Sequence, residues 1–343
     1  MKKRIALIFG GEGCEREISI RSAKSLSALI DRNIYSVIYV EITSSGDWFL
    51  CLSKEHFSTT GTSPIHFEPT FPIRIKGKSG FISRNGIIPV HMAIPCLHGD
   101  FGEDGIIQGL LSAAHIKYIG QDVYASCLTN DKSCTKLVSN MLQIPTADWI
   151  LSVNDSSHDA KLCAEEKIGY PMFIKPTRLG SSYGASPVYS EEEFTPLFEE
   201  AFRLGQGRVL IEKLVDKSFE VECAYLGTDV ERFCPKGIVE CGNGFYDYTS
   251  KYSSVAGFNA PHTNSPLSTK CEERIVDYSK RLVDFIGIKQ LARIDFFVDK
   301  DENIYFNEIN VFPGMTQTSL YPRLTEKMGL KKGEFINILL SAE

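Results

Sequence analysis

The sequence predicts an α/β front followed by a mixed α+β rear. Three observations predict it. Over the first third, short apolar runs closed by glycines alternate with segments of helical spacing. Behind residue 121, strand-like runs follow one another with fewer helices between them. The length of 343 residues exceeds what one small core organises and suits two or three packed subdomains.

Residues 5–9, IALIF before Gly10-Gly11, read as a buried strand. Residues 19–30 place apolar side chains at helical intervals, and residues 37–42 return to β-branched strand chemistry. A further strand at 92–97 and a helix at 104–114 complete a parallel, right-handed α/β layer. Residues 43–85 are irregular, and no element is assigned to them. A second unit opens near Gln121 with one helix over 123–142 and a strand at 171–175 that runs into a Gly/Ser loop. Ser190 and Glu193 predict a capping box for a helix over 191–203. Strands at 209–214 and 219–226 follow. A long helix starts near Thr269, where Glu272 predicts a second capping box. Strands at 291–298 and 304–310 flank a charged turn, and a helix at 332–340 closes the chain.

Composition narrows the function. A net charge of −6 argues against a nucleic-acid binder, whose surface carries a basic excess. The basic start, Lys2-Lys3-Arg4, is followed by too short an apolar run for a signal peptide, which needs ~7–15 residues. No stretch approaches the ~20 apolar residues of a membrane span, so a cytoplasmic, membrane-free protein is expected. None of the ten cysteines forms a Cys-x-x-Cys pair, which leaves them as reduced, structural side chains.

Three segments carry chemistry. Gly10-Gly11-Glu12-Gly13 follows the first strand, but Arg16 stands where a dinucleotide fingerprint needs its third glycine; on its own this reads as a tight turn. The loop from Lys175 to Gly184 combines a cation, glycines and hydroxyls, the ingredients for wrapping the terminal phosphates of a nucleotide. The sharpest is Arg293-Ile294-Asp295 with Asn307-Glu308-Ile309-Asn310. Period-two alternation puts Arg293 and Asp295 on one face, and Glu308 and Asn310 on one face. If those strands pair, Asp295, Glu308 and Asn310 offer the hard oxygens that Mg²⁺ prefers.

With these segments in hand, the chain resembles the D-alanine–D-alanine ligases of the ATP-grasp superfamily, from about Lys3 to Leu340. The matching motifs are Gly10-Gly11 with Glu15 to Ser19, His98 to Gly105, Asp131-Lys132, Lys175 to Gly184, Phe245 to Tyr248 leading to Lys251-Tyr252, Arg293 to Asp295, and Glu308-x-Asn310-x-x-Pro313-Gly314. The resemblance implies an ATP-grasp fold with an N-terminal Rossmann-like parallel α/β subdomain. Its units would be 1–120 for substrate, 121–215 for the central part, and 216–343 with the metal site and a mobile loop.

It also implies roles. Lys132, Lys175, Ser182 and Lys251 would serve ATP, Glu212, Lys213 and Val215 the adenine pocket, and Glu220 the ribose. Asp295, Glu308 and Asn310 would bind two Mg²⁺ (or Mn²⁺). Glu15 would hold the first D-alanine, bordered by His98, with Ser181 linking Glu15 to Tyr252. Ser319 and Leu320 would shape the second subsite, while Arg293 and the Gly314 N–H would stabilise the oxyanion. The implied reaction passes through a D-alanyl phosphate to D-alanyl-D-alanine for peptidoglycan, in a homodimer. D-serine or D-lactate as second substrate is the alternative; Tyr252 and Leu320 favour D-alanine. Departures are Asn130, Val311, Gly13-Cys14 and a longer turn at 216–219. A nicotinamide oxidoreductase fails on the broken glycine fingerprint and gives the Asp295, Glu308 and Asn310 cluster no purpose, and a non-catalytic nucleotide sensor would tolerate loss of the metal ligands or Arg293, all of which are present.

Overall fold

The computed structural model describes residues 2–51, 67–240 and 261–342. The chain opens with β1 (Lys3–Gly10), α1 (Arg16–Leu29) and β2 (Tyr35–Ile42). Next come β3 (Trp48–Cys51), β4 (Phe67–Pro69), β5 (Pro72–Ile75), β6 (Lys78–Ser83), β7 (Gly86–Pro89) and β8 (Met92–Pro95). The first sheet has the order β4-β3-β2-β1-β8, with β1 parallel to both β2 and β8. Strand β1 is covered on both faces, which is why its sequence is continuously apolar rather than alternating. The expected parallel layer is therefore present, but β3 and β4 extend it antiparallel, and β5-β6-β7 form a separate antiparallel sheet. These are the strands of the irregular stretch; they are short, and their neighbours rather than their own periodicity define them.

Glycine 10 ends β1 at φ +99°, and a Cβ there would lie 2.1 Å from the Ile42 carbonyl oxygen. Replacing Gly10 with Ala should destabilise the fold by on the order of 2–4 kcal/mol, read as a lower urea midpoint at unchanged m-value.

After α2 (Ile106–Ala113), the single helix expected over 123–142 is two: α3 (Val123–Asn130) and α4 (Lys132–Met141). Asp131 breaks them with φ −90° and ψ 105°, and its carboxylate accepts the Ser133 N–H at 3.0 Å as the cap of α4. Apolar spacing continues across the break, so periodicity did not reveal it.

The rear holds β9 (Trp149–Val153), α5 (Ser157–Lys167), β10 (Met172–Pro176), β11 (Ser186–Val188), α6 (Glu191–Leu204) and β12 (Arg208–Lys213). Their strands form an antiparallel sheet, β11-β10-β12-β9, backed by α5 and α6 around Phe194, Phe198 and Ile174. Then follow β13 (Phe219–Leu226), β14 (Arg232–Glu240), α7 (Thr269–Ile286), β15 (Leu291–Val298) and β16 (Ile304–Asn310). These strands build a second four-stranded antiparallel sheet, β14-β13-β15-β16, with α7 packed on it through Ile275, Leu282 and Val283. Helices α8 (Leu320–Lys327) and α9 (Glu334–Ser341) share a core with α1 and β1, tying the chain's end to its beginning.

Both expected capping boxes differ in detail. Glu193 accepts the N–H of Tyr189, one residue before the cap, at 2.7 Å. For α7 the cap is Ser268, which accepts the Cys271 N–H at 3.2 Å. Glu302 accepts the Ser268 N–H, while Glu272 pairs with Lys236. A carboxylate distant in sequence does the work assigned to a local one.

Candidate active site

One cavity of about 610 Å³ is walled by the two four-stranded antiparallel sheets and by the N-terminal unit. Every candidate residue among those described lines it; Lys251 and Tyr252 lie outside the described residues.

Its floor is the β15–β16 hairpin. The register pairs Arg293 with Asn310 and Asp295 with Glu308, so the two expected faces are one face. Arg293 donates to both Asp295 oxygens, at 2.8 and 2.6 Å, and the Asn310 amide donates to Asp295 at 3.0 Å. Glu222, opposite Asp295 on β13, lies 3.4 Å from the Arg293 guanidinium. Burial opposes the charge on Arg293, but Asp295 and Glu222 overcome it and hold the group protonated well beyond its ordinary range. A register shift after Asp295 leaves Asn307 without a partner on β15. This bulge lets Asn307 and Glu308, adjacent in sequence, both face the cavity. The side-chain amide oxygen of Asn307 accepts from the Lys175 ammonium at 3.1 Å.

The cations come from β10 and α4. Because Asp131 stops α3, Lys132 sits at the start of α4, where its ammonium reaches the Leu179 carbonyl at 2.8 Å and Glu308 at 3.4 Å. Asp131 also accepts from Arg178 at 3.0 Å, pinning the loop after β10. Lys175 and Lys136 both pair with Glu212. Burial pushes the Glu212 carboxyl up, but the two ammonium groups reverse this and bring it down to about 2. Glu212 therefore borders the cavity with its carboxylate turned to lysines. Lys213 donates to the carbonyls of Gly169 and Tyr170 at 3.2 and 3.1 Å. Lys217 pairs with Glu220 at 2.5 Å and lies 4.1 Å over the Phe297 ring, so the longer turn still delivers Glu220 to the cavity.

The N-terminal unit supplies the roof. Glu15 stands at the start of α1 and accepts from the Ser181 hydroxyl, although 166 residues separate them. Ser181 and Ser182 adopt φ values of +52° and +59°, a left-handed backbone uncommon for such residues. Gly99 at φ +64° makes room for Glu15, since a Cβ there would be 2.2 Å from its Oε2. Arg16 and Ser19 serve the scaffold. Arg16 pairs with Glu41 and the Ile42 carbonyl, and Ser19 bridges the Gly10 N–H to the Cys96 carbonyl.

His98 contacts the Ser22 hydroxyl at 3.1 Å, and that oxygen accepts the Met315 N–H at 3.2 Å. Burial, aided by the charge of Arg293 and opposed by a bond to the Phe312 backbone, lowers His98 to about 4, leaving it neutral near pH 7. The Ser319 hydroxyl accepts the Thr316 N–H at 3.1 Å, folding the segment after Gly314 back onto α8, where Leu320 is buried.

Glu103 was not singled out from the sequence as a site residue. It accepts the Gly99 N–H at 3.1 Å and the Phe312 N–H at 3.4 Å, linking roof to floor. Burial first, then the negative charge of Glu15, raises its carboxyl to about 8. The folded state thus keeps a proton that the unfolded chain loses above about pH 4.5. Stability from this group is full at low pH and is lost as pH rises through 8. Relative to a Glu103→Gln variant, the parent's Tm should fall between pH 5 and 9; parallel melting curves would refute this.

Matches to known proteins follow the same lines. The model for the D-ala D-ala ligase N-terminus matches residues 4–121, and that for the D-ala D-ala ligase C-terminus matches residues 138–341. The chain belongs to the D-alanine–D-alanine ligase family. A D-alanine–D-alanine ligase of Deinococcus radiodurans is 36% identical over 99% of this chain and 98% of its own. One from Thermoanaerobacter sp. (strain X514) is 33% identical over 99% and 96%. Among solved structures, the VanG D-Ala:D-Ser ligase of Enterococcus faecalis superposes with a TM-score of 0.88 at 30% identity, covering 99% of both chains. As a family member the protein is a ligase with an ATP-grasp fold that uses ATP, and the oxidoreductase reading is set aside. No helix among the described residues is long and apolar enough to cross a membrane.

Asn307 and Glu103 fall within the quoted motifs but were given no role there, while Glu222, Lys136 and Ser22 escaped the sequence reading. Glu222 had a usable signal, because it shares a face with Glu220 in an apolar strand. Lys136 and Ser22 had none.

Proposed function

We propose that this protein joins two D-alanines into D-alanyl-D-alanine, for peptidoglycan precursors, through a D-alanyl phosphate. The observation that carries the proposal is the shared cavity, in which Glu15 held by Ser181 faces the Arg293, Asp295, Glu308 and Asn310 cluster and the two lysines.

Lys132 and Lys175, with Ser182, are placed to neutralise phosphate oxygens of ATP. Lys213, Val215 and the strand backbone at Glu212 border the base, and Glu220 the ribose. Asp295, Glu308 and Asn310 provide two carboxylates and an amide, a set that fits Mg²⁺ or Mn²⁺ completed by phosphates and water. No group of three His, Cys, Asp or Glu side chains that could hold a metal occurs among the described residues, so phosphate and water oxygens would have to complete the set. Two such ions would screen the transferring phosphoryl group.

Glu15 anchors the ammonium of the first D-alanine beside neutral His98. The carboxylate of that D-alanine attacks the γ-phosphorus of ATP, ADP leaves, and the carboxyl carbon of the resulting acyl phosphate becomes the electrophile. The second amine, seated against Ser319 and Leu320, attacks that carbon. Arg293 and the Gly314 N–H face the oxyanion, and phosphate departs. Tyr252 and Lys251 belong to the lid over this step. Units 1–120, 121–215 and 216–343, a homodimer and a cytoplasmic location complete the proposal.

Purified protein with ATP, Mg²⁺ and D-alanine should release phosphate and form D-alanyl-D-alanine, identified by mass. Buried, apolar Leu320 at the second subsite favours D-alanine over D-serine. A mixed product dominating in D-serine or D-lactate competition would overturn that preference. No product at all would overturn the assignment.

A further inference from the structure

We infer that Lys136 is a positioning residue for the nucleotide site: it holds Glu212 so that Lys175 can leave that carboxylate for a phosphate. The inference rests on the ATP site proposed above.

Lys136 is 1% exposed on α4 and does not reach the cavity wall. A lysine so deeply placed demands a partner, since burying an unpaired ammonium is strongly unfavourable. Its ion-pair partner is Glu212 on β12, itself 3% exposed. Glu212 is shared: one oxygen takes Lys136, and the other takes Lys175 at 2.5 Å. The three groups together carry one surplus positive charge. Lys175 alone of the two lysines also lines the cavity, where Asn307 receives it at 3.1 Å. Helical spacing explains the layout. Lys132 and Lys136 are four residues apart on α4 and share a face, the first reaching the phosphate loop and the second sitting one turn away beneath it.

Take Lys136 away, and Glu212 becomes a buried carboxylate whose charge is balanced by Lys175 alone. An arriving phosphate must then strip Glu212 of its counter-ion. With Lys136 present, Glu212 stays paired whichever way Lys175 turns, and the surplus charge is offered to the anion. A lysine serving only to fill the core would influence melting temperature but not this competition.

The test compares the parent with Lys136→Met, Glu212→Gln and the double variant, measuring ATP binding by calorimetry, steady-state constants and thermal melts. Lys136→Met should raise KM and Kd for ATP about tenfold or more, leaving kcat and the D-alanine KM within about threefold. The double variant should regain most of the ATP affinity, because neutral Gln no longer competes for Lys175. Unchanged ATP affinity in a folded Lys136→Met, or no recovery in the double variant, would overturn the inference. If Lys136→Met does not fold, the double variant, in which no buried charge of the Lys136–Glu212 pair is left unpaired, decides: ATP affinity within about threefold of the parent's supports the role, and a tenfold loss overturns it. Parent protein that binds no ATP would overturn the nucleotide site itself, and the inference with it.

Discussion

Arg293→Met should lower kcat by ~10²–10³ while the KM for ATP moves less than about threefold, as expected when a donor to a developing oxyanion is lost. Arg293 is fixed by two bonds to Asp295 and by Glu222, so its guanidinium is pre-organised and needs no rearrangement as charge develops. The substitution also leaves Asp295 and Glu222, facing each other across β13 and β15, without their shared cation. A lower Tm should accompany the kinetic loss, and the two effects separate in kcat measured well below the melting transition. Arg293→Lys should recover charge but not the fork, and so only part of the rate. An unchanged kcat in folded Arg293→Met would remove Arg293 from the chemistry.

Asp295→Asn should reduce turnover by ~10²–10⁴ at ordinary Mg²⁺, because an anionic oxygen is lost from the set that would hold the metals. Chelation of the parent by EDTA should abolish phosphate release, with recovery on adding Mg²⁺ or Mn²⁺. The variant should differ by needing much more Mg²⁺ for half-maximal rate. That metal dependence separates the ligand role of Asp295 from its pairing with Arg293, since loss of the ion pair alone would lower the rate without moving the Mg²⁺ midpoint. Equal midpoints in parent and variant would take Asp295 out of the metal site.

Local chemistry made much of this readable. Strands β13, β15 and β16 were located to the residue because apolar alternation is strong and charged turns close it. Arg293, Asp295, Glu308 and Asn310 stood out because charges interrupting apolar strands have few comfortable places. The loop from Lys175 to Gly184 stood out through its composition. Assigning ATP and D-alanine to these groups needed the resemblance, since oxygen ligands and lysines serve many phosphate reactions.

By itself, then, the sequence determined the α/β front, the buried β1, the acidic hairpin face and the family. Tertiary structure alone decided how these parts meet. The bulge that turns Asn307 into the cavity arises from the pairing of β16 with β15, which no property of β16 alone encodes. The break at Asp131 has a local cap in the Ser133 N–H, but its pairing with Arg178 and Arg208, distant in sequence, exists only after folding. The proton on Glu103 and the sharing of Glu212 depend on which charges are packed against them after folding. Periodicity reports the face a side chain takes on its own element, whereas long-range electrostatics and register are set by neighbours that only the folded chain brings near.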